Sequence, residues 1–171
     1  MDGSRSGLGK PLVVLTPKSL LRHPKAISTL DDLASGQFQK ILPDMRKDAT
    51  KTDFILLTSG KMYYDLLEAR DEQDRRDIAI VRVEQYYPLR DEAIARALEM
   101  YPAETPVRWV QEDPENMGAW PFWKNRFCYR LVDRYPFSVV ARTASASPAT
   151  GSSAAHYREQ EELIARAFKA P

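Results

Sequence analysis

The chain has 171 residues, 43% hydrophobic and 29% charged, which fits one globular domain with room for a sizeable core. Its 25 basic and 24 acidic residues are interspersed and leave a formal charge of +1, so there is no whole-chain electrostatic case for nucleic acid or an anionic membrane. No apolar run approaches the roughly 20 residues that cross a bilayer. One cysteine, Cys128, and two histidines, His23 and His156, exclude an internal disulfide and are too few for a structural zinc site.

In chain order, Met1 to Gly9 is Gly/Ser-rich, lacks an apolar core, and reads as a flexible or appended N-terminus rather than a secretory signal. The domain is expected over residues 10–171, in a reducing cytoplasm or mitochondrial matrix. Pro11-Leu-Val-Val-Leu-Thr16 is a continuous β-branched apolar run and predicts a strand buried on both faces. Ser28 to Leu42 predicts one or two helices, with Ser28 or Thr29 as N-cap and Asp31 and Asp32 in the first turn. Lys47 to Thr52 reads as a polar connector. Phe54 to Thr58 predicts a second strand and Lys61 to Arg70 a helix with Met62, Leu66 and Ala69 inward. Ile78 to Val83 predicts a third strand, followed by a helix over Asp91 to Met100 with its acids at the N-terminal end. Val107 to Gln111 predicts a fourth strand, Ala119 to Tyr135 a helix, Phe137 to Ala141 a fifth strand, and Tyr157 to Phe168 a last helix. Thr143 to Ala155 is rich in small residues and reads as flexible. The alternation implies an α/β fold in three layers, a mostly parallel five-stranded sheet with helices on both faces.

Most reactive constellations are absent from this order. Gly3 to Lys10 fails as a phosphate loop because Ser4 stands at its first glycine and Pro11 at its Ser/Thr position. Ser59-Gly60-Lys61 is a tight strand-to-helix turn whose amides suit an anion, though a plain turn glycine explains it better. There is no GxSxG elbow. Cys128 falls inside an aromatic helix and reads as a buried thiol, and His156 as a loop-packing or capping residue. Glu112 and Asp113 support a loop or face a partner.

Three segments carry more specific chemistry. Thr16 to Pro24 follows the first expected strand, Gln111 to Trp123 the fourth, and Arg142 to Gly151 the fifth. Functional loops gather at that edge of a parallel sheet. Lys18, Arg22, Asn116, Trp120, Ser145 and Ser147 are the candidate interface residues, and exposed aromatic surface near Trp120 and Trp123 is expected to make the isolated chain self-associate.

These same segments resemble the C-terminal domain of the E1 component of 2-oxoglutarate dehydrogenase. The stretches that carry the likeness are Thr16-Pro-Lys-Ser-Leu-Leu-Arg-His-Pro24, Ser59-Gly-Lys-Met-Tyr-Tyr-Asp65, Ile80-Val-Arg-Val-Glu-Gln85, Trp109-Val-Gln-Glu-Asp-Pro114 with Asn116-Met-Gly-Ala-Trp120, and Ser145-Ala-Ser-Pro-Ala-Thr-Gly151. His156 and Glu159-Gln160 also fit. The resemblance implies a transketolase-like C-terminal fold within a dimeric enzyme of the tricarboxylic acid cycle. It implies thiamine diphosphate and magnesium in the parent enzyme, held by a GDG segment and an activating glutamate on two other domains. This chain has no GDG segment, so it is expected to bind no cofactor or metal, hold no catalytic residue and be inactive alone. Actinobacterial relatives bind acetyl-CoA through residues matching Gln37, Lys40, Gln85 and a later arginine pair. Here Gln85 alone matches, and the arginine positions fall on Glu92 and Ala93.

The resulting expectation is a structural, dimer-completing and regulatory domain of an oxidoreductase. Its partners would be the remaining E1 domains, a second E1 subunit and the E2 succinyltransferase, with no nucleic acid and no membrane. The rival reading is a stand-alone acyl-CoA or anion sensor contacting its ligand through Gln85, Lys61 and Lys40. A minor enzyme using Glu112 or His156 is a third.

Overall fold

The structure is a computed structural model that describes Pro11 and residues 13–44 and 49–170. The expected N-terminal stretch Met1 to Gly9 and part of the polar connector lie outside these residues. The chain divides into two compact units, one ending at Gly36 and the other starting at Gln37.

Among its described residues the first unit holds a 3₁₀ turn, Lys18–Arg22, and a short helix, α1 (Leu30–Ser35). Thr29 is the N-cap. Its hydroxyl accepts from the Asp32 amide while the Asp32 carboxylate accepts from the Thr29 amide, a reciprocal capping box. The one or two helices expected over Ser28 to Leu42 amount to this one, which ends at Ser35. At Gly36 the backbone is extended, and a Cβ there would lie 2.2 Å from the Asp32 carbonyl oxygen. No strand forms among the described residues of the stretch expected at Pro11 to Thr16: Val13 to Pro17 are irregular, and no described strand pairs with them. Composition favoured a strand there, but a strand exists only with a neighbour to share its ladder.

The second unit contains β1 (Ile41–Leu42), β2 (Phe54–Thr58), α2 (Met62–Glu72), β3 (Ile78–Val83), α3 (Asp91–Leu98), β4 (Val107–Pro114), α4 (Trp120–Phe127), β5 (Arg130–Leu131), β6 (Tyr135–Arg142) and α5 (Ser153–Phe168). They form a six-stranded sheet in the order β1-β3-β2-β4-β6-β5. The four long strands are parallel, and the two-residue strands β1 and β5 run antiparallel at the edges. The α/β expectation holds, with six strands in place of five: four expected strands form, and two short ones close the edges. Each short strand escaped the hydrophobic pattern because two residues carry no period.

Every residue of β2 is buried, as a parallel strand covered on both faces requires. One core lies around Ile55, Leu57, Val81, Trp109, Trp123 and Tyr135, and the other around Phe54, Leu56, Leu66, Ile80, Leu163 and Phe168. Alternate β2 residues thus feed opposite layers. Past the end of β1, buried Asp44 continues the pairing with a side chain: its Oδ2 accepts from the Ile80 amide at 2.7 Å and from Arg70 Nη1 at 2.5 Å. Arg108 is buried with its guanidinium 4.5 Å from the Phe54 ring centroid and donates to the carbonyls of Ala167 and Lys169 at the end of α5. That places a cation where the helix dipole is negative. Burial alone pulls its pKa below the usual arginine value.

The expected helix from Ala119 to Tyr135 ends at Phe127. Cys128 turns the chain at φ 52°, ψ −112°, and a β5–β6 hairpin follows. Cys128 is consequently exposed, not buried. Trp120 and Trp123 are 3% and 0% exposed, so the aromatic surface expected there belongs to the core. Trp123 packs 5.2 Å from Trp109 and 5.9 Å from Phe127, measured between ring centroids.

Candidate functional surface

The C-terminal ends of β2, β4 and β6 share one edge of the sheet, and the loops leaving them hold most of the segments singled out in the sequence. Gln111, near the end of β4, organises the first loop. Its Oε1 accepts from Trp109 Nε1 and the Trp120 amide, both at 2.8 Å, and its Nε2 donates to the carbonyls of Pro114 at 3.1 Å and Met117 at 2.8 Å. This buried carboxamide ties a strand, a loop and a helix start together. Gly118 closes the loop at φ +63°, where a Cβ would lie 2.6 Å from Asp113 Oδ2. Only glycine fits both the backbone angle and that space.

The second loop is clamped to the first. Asn116 Nδ2 donates to the Ser145 carbonyl at 2.9 Å, and Asn116 Oδ1 accepts from the Ser145 amide at 3.0 Å. The Glu115 amide donates to the Arg142 carbonyl at 2.9 Å. Ser145 Oγ accepts from the Ser147 amide, and Ser147 Oγ donates to the Ala149 carbonyl. The stretch expected to be flexible is thus laced by its own side chains, and α5 begins at Ser153, within it.

Beneath these loops runs a polar chain. Lys61, at the start of α2, donates to Asp65 and to Glu112 Oε1, the latter at 3.2 Å. Partial burial works against its charge, but the Asp65 hydrogen bond and the attraction of Glu112 and Asp65 prevail and hold its pKa above the ordinary lysine value. Asp65 Oδ2 in turn accepts from Gln160 Nε2 of α5 at 2.9 Å. Arg142, at the end of β6, donates from Nη2 to His156 Nδ1 at 2.9 Å and lies 3.4 Å from Glu159 Oε2. An arginine can only donate, so this bond fixes the His156 proton on Nε2. A cleft of about 410 Å³ opens beside this arginine, lined by Pro114, Arg142, Ser145, Thr150, Glu159 and Arg166 among others.

Sequence reasoning picked out Asn116, Ser145, Lys61, Glu112 and His156 but missed Gln111 as the organiser and Arg142 as the hub. A signal for Arg142 does exist. An arginine ends a strand, and His156, Glu159 and Gln160 stand at i, i+3 and i+4 of the next helix, on one face. The candidate ligand contacts are only partly gathered. The Lys40 carbonyl accepts from the Glu84 and Gln85 amides, so Lys40 and Gln85 are neighbours through their main chains. The Gln85 carboxamide donates to the Pro88 carbonyl at 2.8 Å. Lys61 is engaged by its two carboxylates. Glu92, at an expected arginine position, sits in the first turn of α3, where the helix dipole suits an acid. Lys18 and Arg22 lie on the 3₁₀ turn of the first unit. Among the described residues no group of three or more His, Cys, Asp or Glu side chains is placed to hold a metal.

Nearby, the Ser59 and Tyr86 hydroxyls are hydrogen-bonded to each other. Burial pushes the Tyr86 phenol up to about 12, partly countered by the Ser59 bond and aided by Glu84 and Asp113. Lys61, Asp65, Glu112, Arg142 and Glu159 are thus engaged with one another or with their neighbours on α5.

The family model "2-oxoglutarate dehydrogenase C-terminal" matches residues 27–168. The chain belongs to that family. It is 42% identical over 160 residues to a 2-oxoglutarate dehydrogenase E1 component of Cupriavidus necator, covering 93% of this chain and 17% of that protein. With the E1 component of Azotobacter vinelandii the identity is 45% over 166 residues, covering 94% and 18%. With a multifunctional 2-oxoglutarate metabolism enzyme of Mycobacterium sp. strain JLS it is 39% over 171 residues, covering 96% and 14%. The chain therefore spans less than one fifth of the length of these relatives. Two transketolase structures from Pichia stipitis align with TM-scores of 0.46 and 0.47 at 15% and 16% identity, over 75% and 77% of this chain and 17% and 18% of theirs. A domain of this family supplies the loop edge described above. The relatives give no support to a stand-alone anion sensor. No helix among the described residues is long and apolar enough to cross a membrane.

Proposed function

We propose that the chain acts as the C-terminal domain of a 2-oxoglutarate dehydrogenase E1 component, completing its dimer and buttressing catalytic domains that lie elsewhere. The parent reaction is oxidative decarboxylation of 2-oxoglutarate with transfer of the succinyl group to a lipoyl group of the E2 partner. The observation that carries this reading is the high identity to E1 components over more than nine tenths of the chain. The interlocked loop edge agrees with it. Asn116 ties the two loops to each other, Gln111 fixes the first and Arg142 ties the end of β6 to α5, as suits a surface that receives another body.

Thiamine diphosphate and magnesium do not fit this chain. It has no GDG segment, and Glu112 and Glu159 at the loop edge already pair with Lys61 and Arg142. In this reading the cofactor belongs to the preceding domains, and this chain's residues only orient the loops that face them. The test is 2-oxoglutarate-dependent activity, with thiamine diphosphate and magnesium present, of the polypeptide carrying the preceding domains, assayed with and without this chain. Activity that needs both pieces is expected. Activity of this chain by itself, or full activity without it, would overturn the reading.

A further inference from the structure

We infer that Val13 to Thr16 is a β-strand of a sheet that this chain does not itself supply, and that its place is inside a sheet of the catalytic part of the parent polypeptide. The inference rests on the E1 reading above. The segment is β-branched and apolar, yet irregular, and no described strand pairs with it. Val13, Val14 and Leu15 are 77%, 69% and 95% exposed. In an extended chain Val13 and Leu15 face one way and Val14 the other. An edge strand lying on a surface would be apolar on one side only, so a run apolar on both sides fits an interior position covered by two layers.

The rest of the first unit agrees. Neither its 3₁₀ turn nor α1 buries a residue, while Leu21, Ile27, Leu30 and Leu33 are all exposed. Among its described residues the unit has no buried core to offset its conformational entropy. The family match begins at residue 27, but coverage of 93–96% by the relatives is reached only by including residues ahead of it. The stretch aligned with E1 proteins thus extends ahead of the module the family describes, and more than four fifths of those proteins lie beyond the matched region. That large remainder is the occupant the segment lacks, and strand addition is a recognised way for one body to seat an extended segment of another.

Amide hydrogen exchange of peptides covering Val13 to Thr16 tests this, in the chain alone and in the longer polypeptide that joins it to the preceding E1 domains. Exchange slower by about 100-fold in the longer protein is expected, because ladder amides open only with their sheet. Val14→Pro in the longer protein should abolish that protection through the loss of an N–H and its ladder geometry. Equally fast exchange in both proteins would overturn the inference. So would concentration-dependent protection in the chain alone, which would assign the strand to a second copy. Activity of the longer protein reads out the E1 assignment separately. Protection without activity would keep the strand and sink that assignment, and activity without protection would do the reverse.

Discussion

The Asn116 carboxamide pairs with both main-chain polar groups of Ser145, donating to one and accepting from the other, across 29 residues of sequence. It is the direct bond between the loop after β4 and the loop after β6. Asn116→Ala is expected to cost about 1 kcal/mol, since both bonds are exposed. That corresponds to a fall of roughly 2–4 °C in melting temperature for a chain of this size. Faster proteolysis between Thr143 and Gly151 should accompany it. Asn116→Asp keeps the acceptor half and should lose less. An unchanged melting curve for the alanine variant would deny the clamp.

Gln111 offers a sharper case because its partners are buried. In Gln111→Glu the acceptor still serves Trp109 and Trp120, but the carbonyls of Pro114 and Met117 lose their donor and face a carboxylate. The cost should be about 2–4 kcal/mol, read as a lower urea midpoint with unchanged slope.

Two glycines with similar angles separate backbone from steric cost. Gly60 has φ +57° and open space where a Cβ would stand, whereas Gly118 has φ +63° and a Cβ there would meet Asp113. Gly60→Ala should cost about 1–2 kcal/mol from the left-handed backbone alone. Gly118→Ala should cost at least about 1 kcal/mol more. Equal losses in denaturant titrations would remove the steric argument.

Alkaline stability should report Tyr86 and Lys61. Both pKa values are raised in the folded state, so the native chain retains protons that the unfolded chain releases. Their contribution is complete below pH 10, and stability falls as pH rises from the unfolded tyrosine value of 10.0 towards about 12. The loss from Tyr86 is roughly 2–3 kcal/mol over that interval. Tyr86→Phe should flatten the slope there, leaving the smaller fall due to Lys61 above its ordinary value of 10.5. An identical slope in wild type and Tyr86→Phe would refute the assignment.

Cys128 lies exposed past the end of α4. A thiol reagent should modify one cysteine in the folded protein without denaturant. A requirement for denaturant would place the thiol back inside.

The parallel strands β2, β3, β4 and β6 were legible because each is a run long enough to show apolar continuity, and α2 and α3 because apolar spacing matched a helix face. What escaped was decided by single backbone angles and by partners distant in sequence. Nothing in Trp123 to Tyr135 announces that Cys128 leaves the helical region, since its neighbours still carry helical spacing. Trp120 and Trp123 were expected to leave aromatic surface exposed, yet Tyr86, Trp109 and Phe137 enclose them. At the candidate surface the residue types were legible and their pairing was not: Lys61 and Glu112 are 51 positions apart.

The two-residue strands β1 and β5, each running against its neighbour, finish the sheet on both sides. Neither offers a long row of free amides, so another polypeptide gains little by pairing alongside. In the reading proposed above, this sheet would meet a neighbouring domain end-on, through loop tips and helix faces.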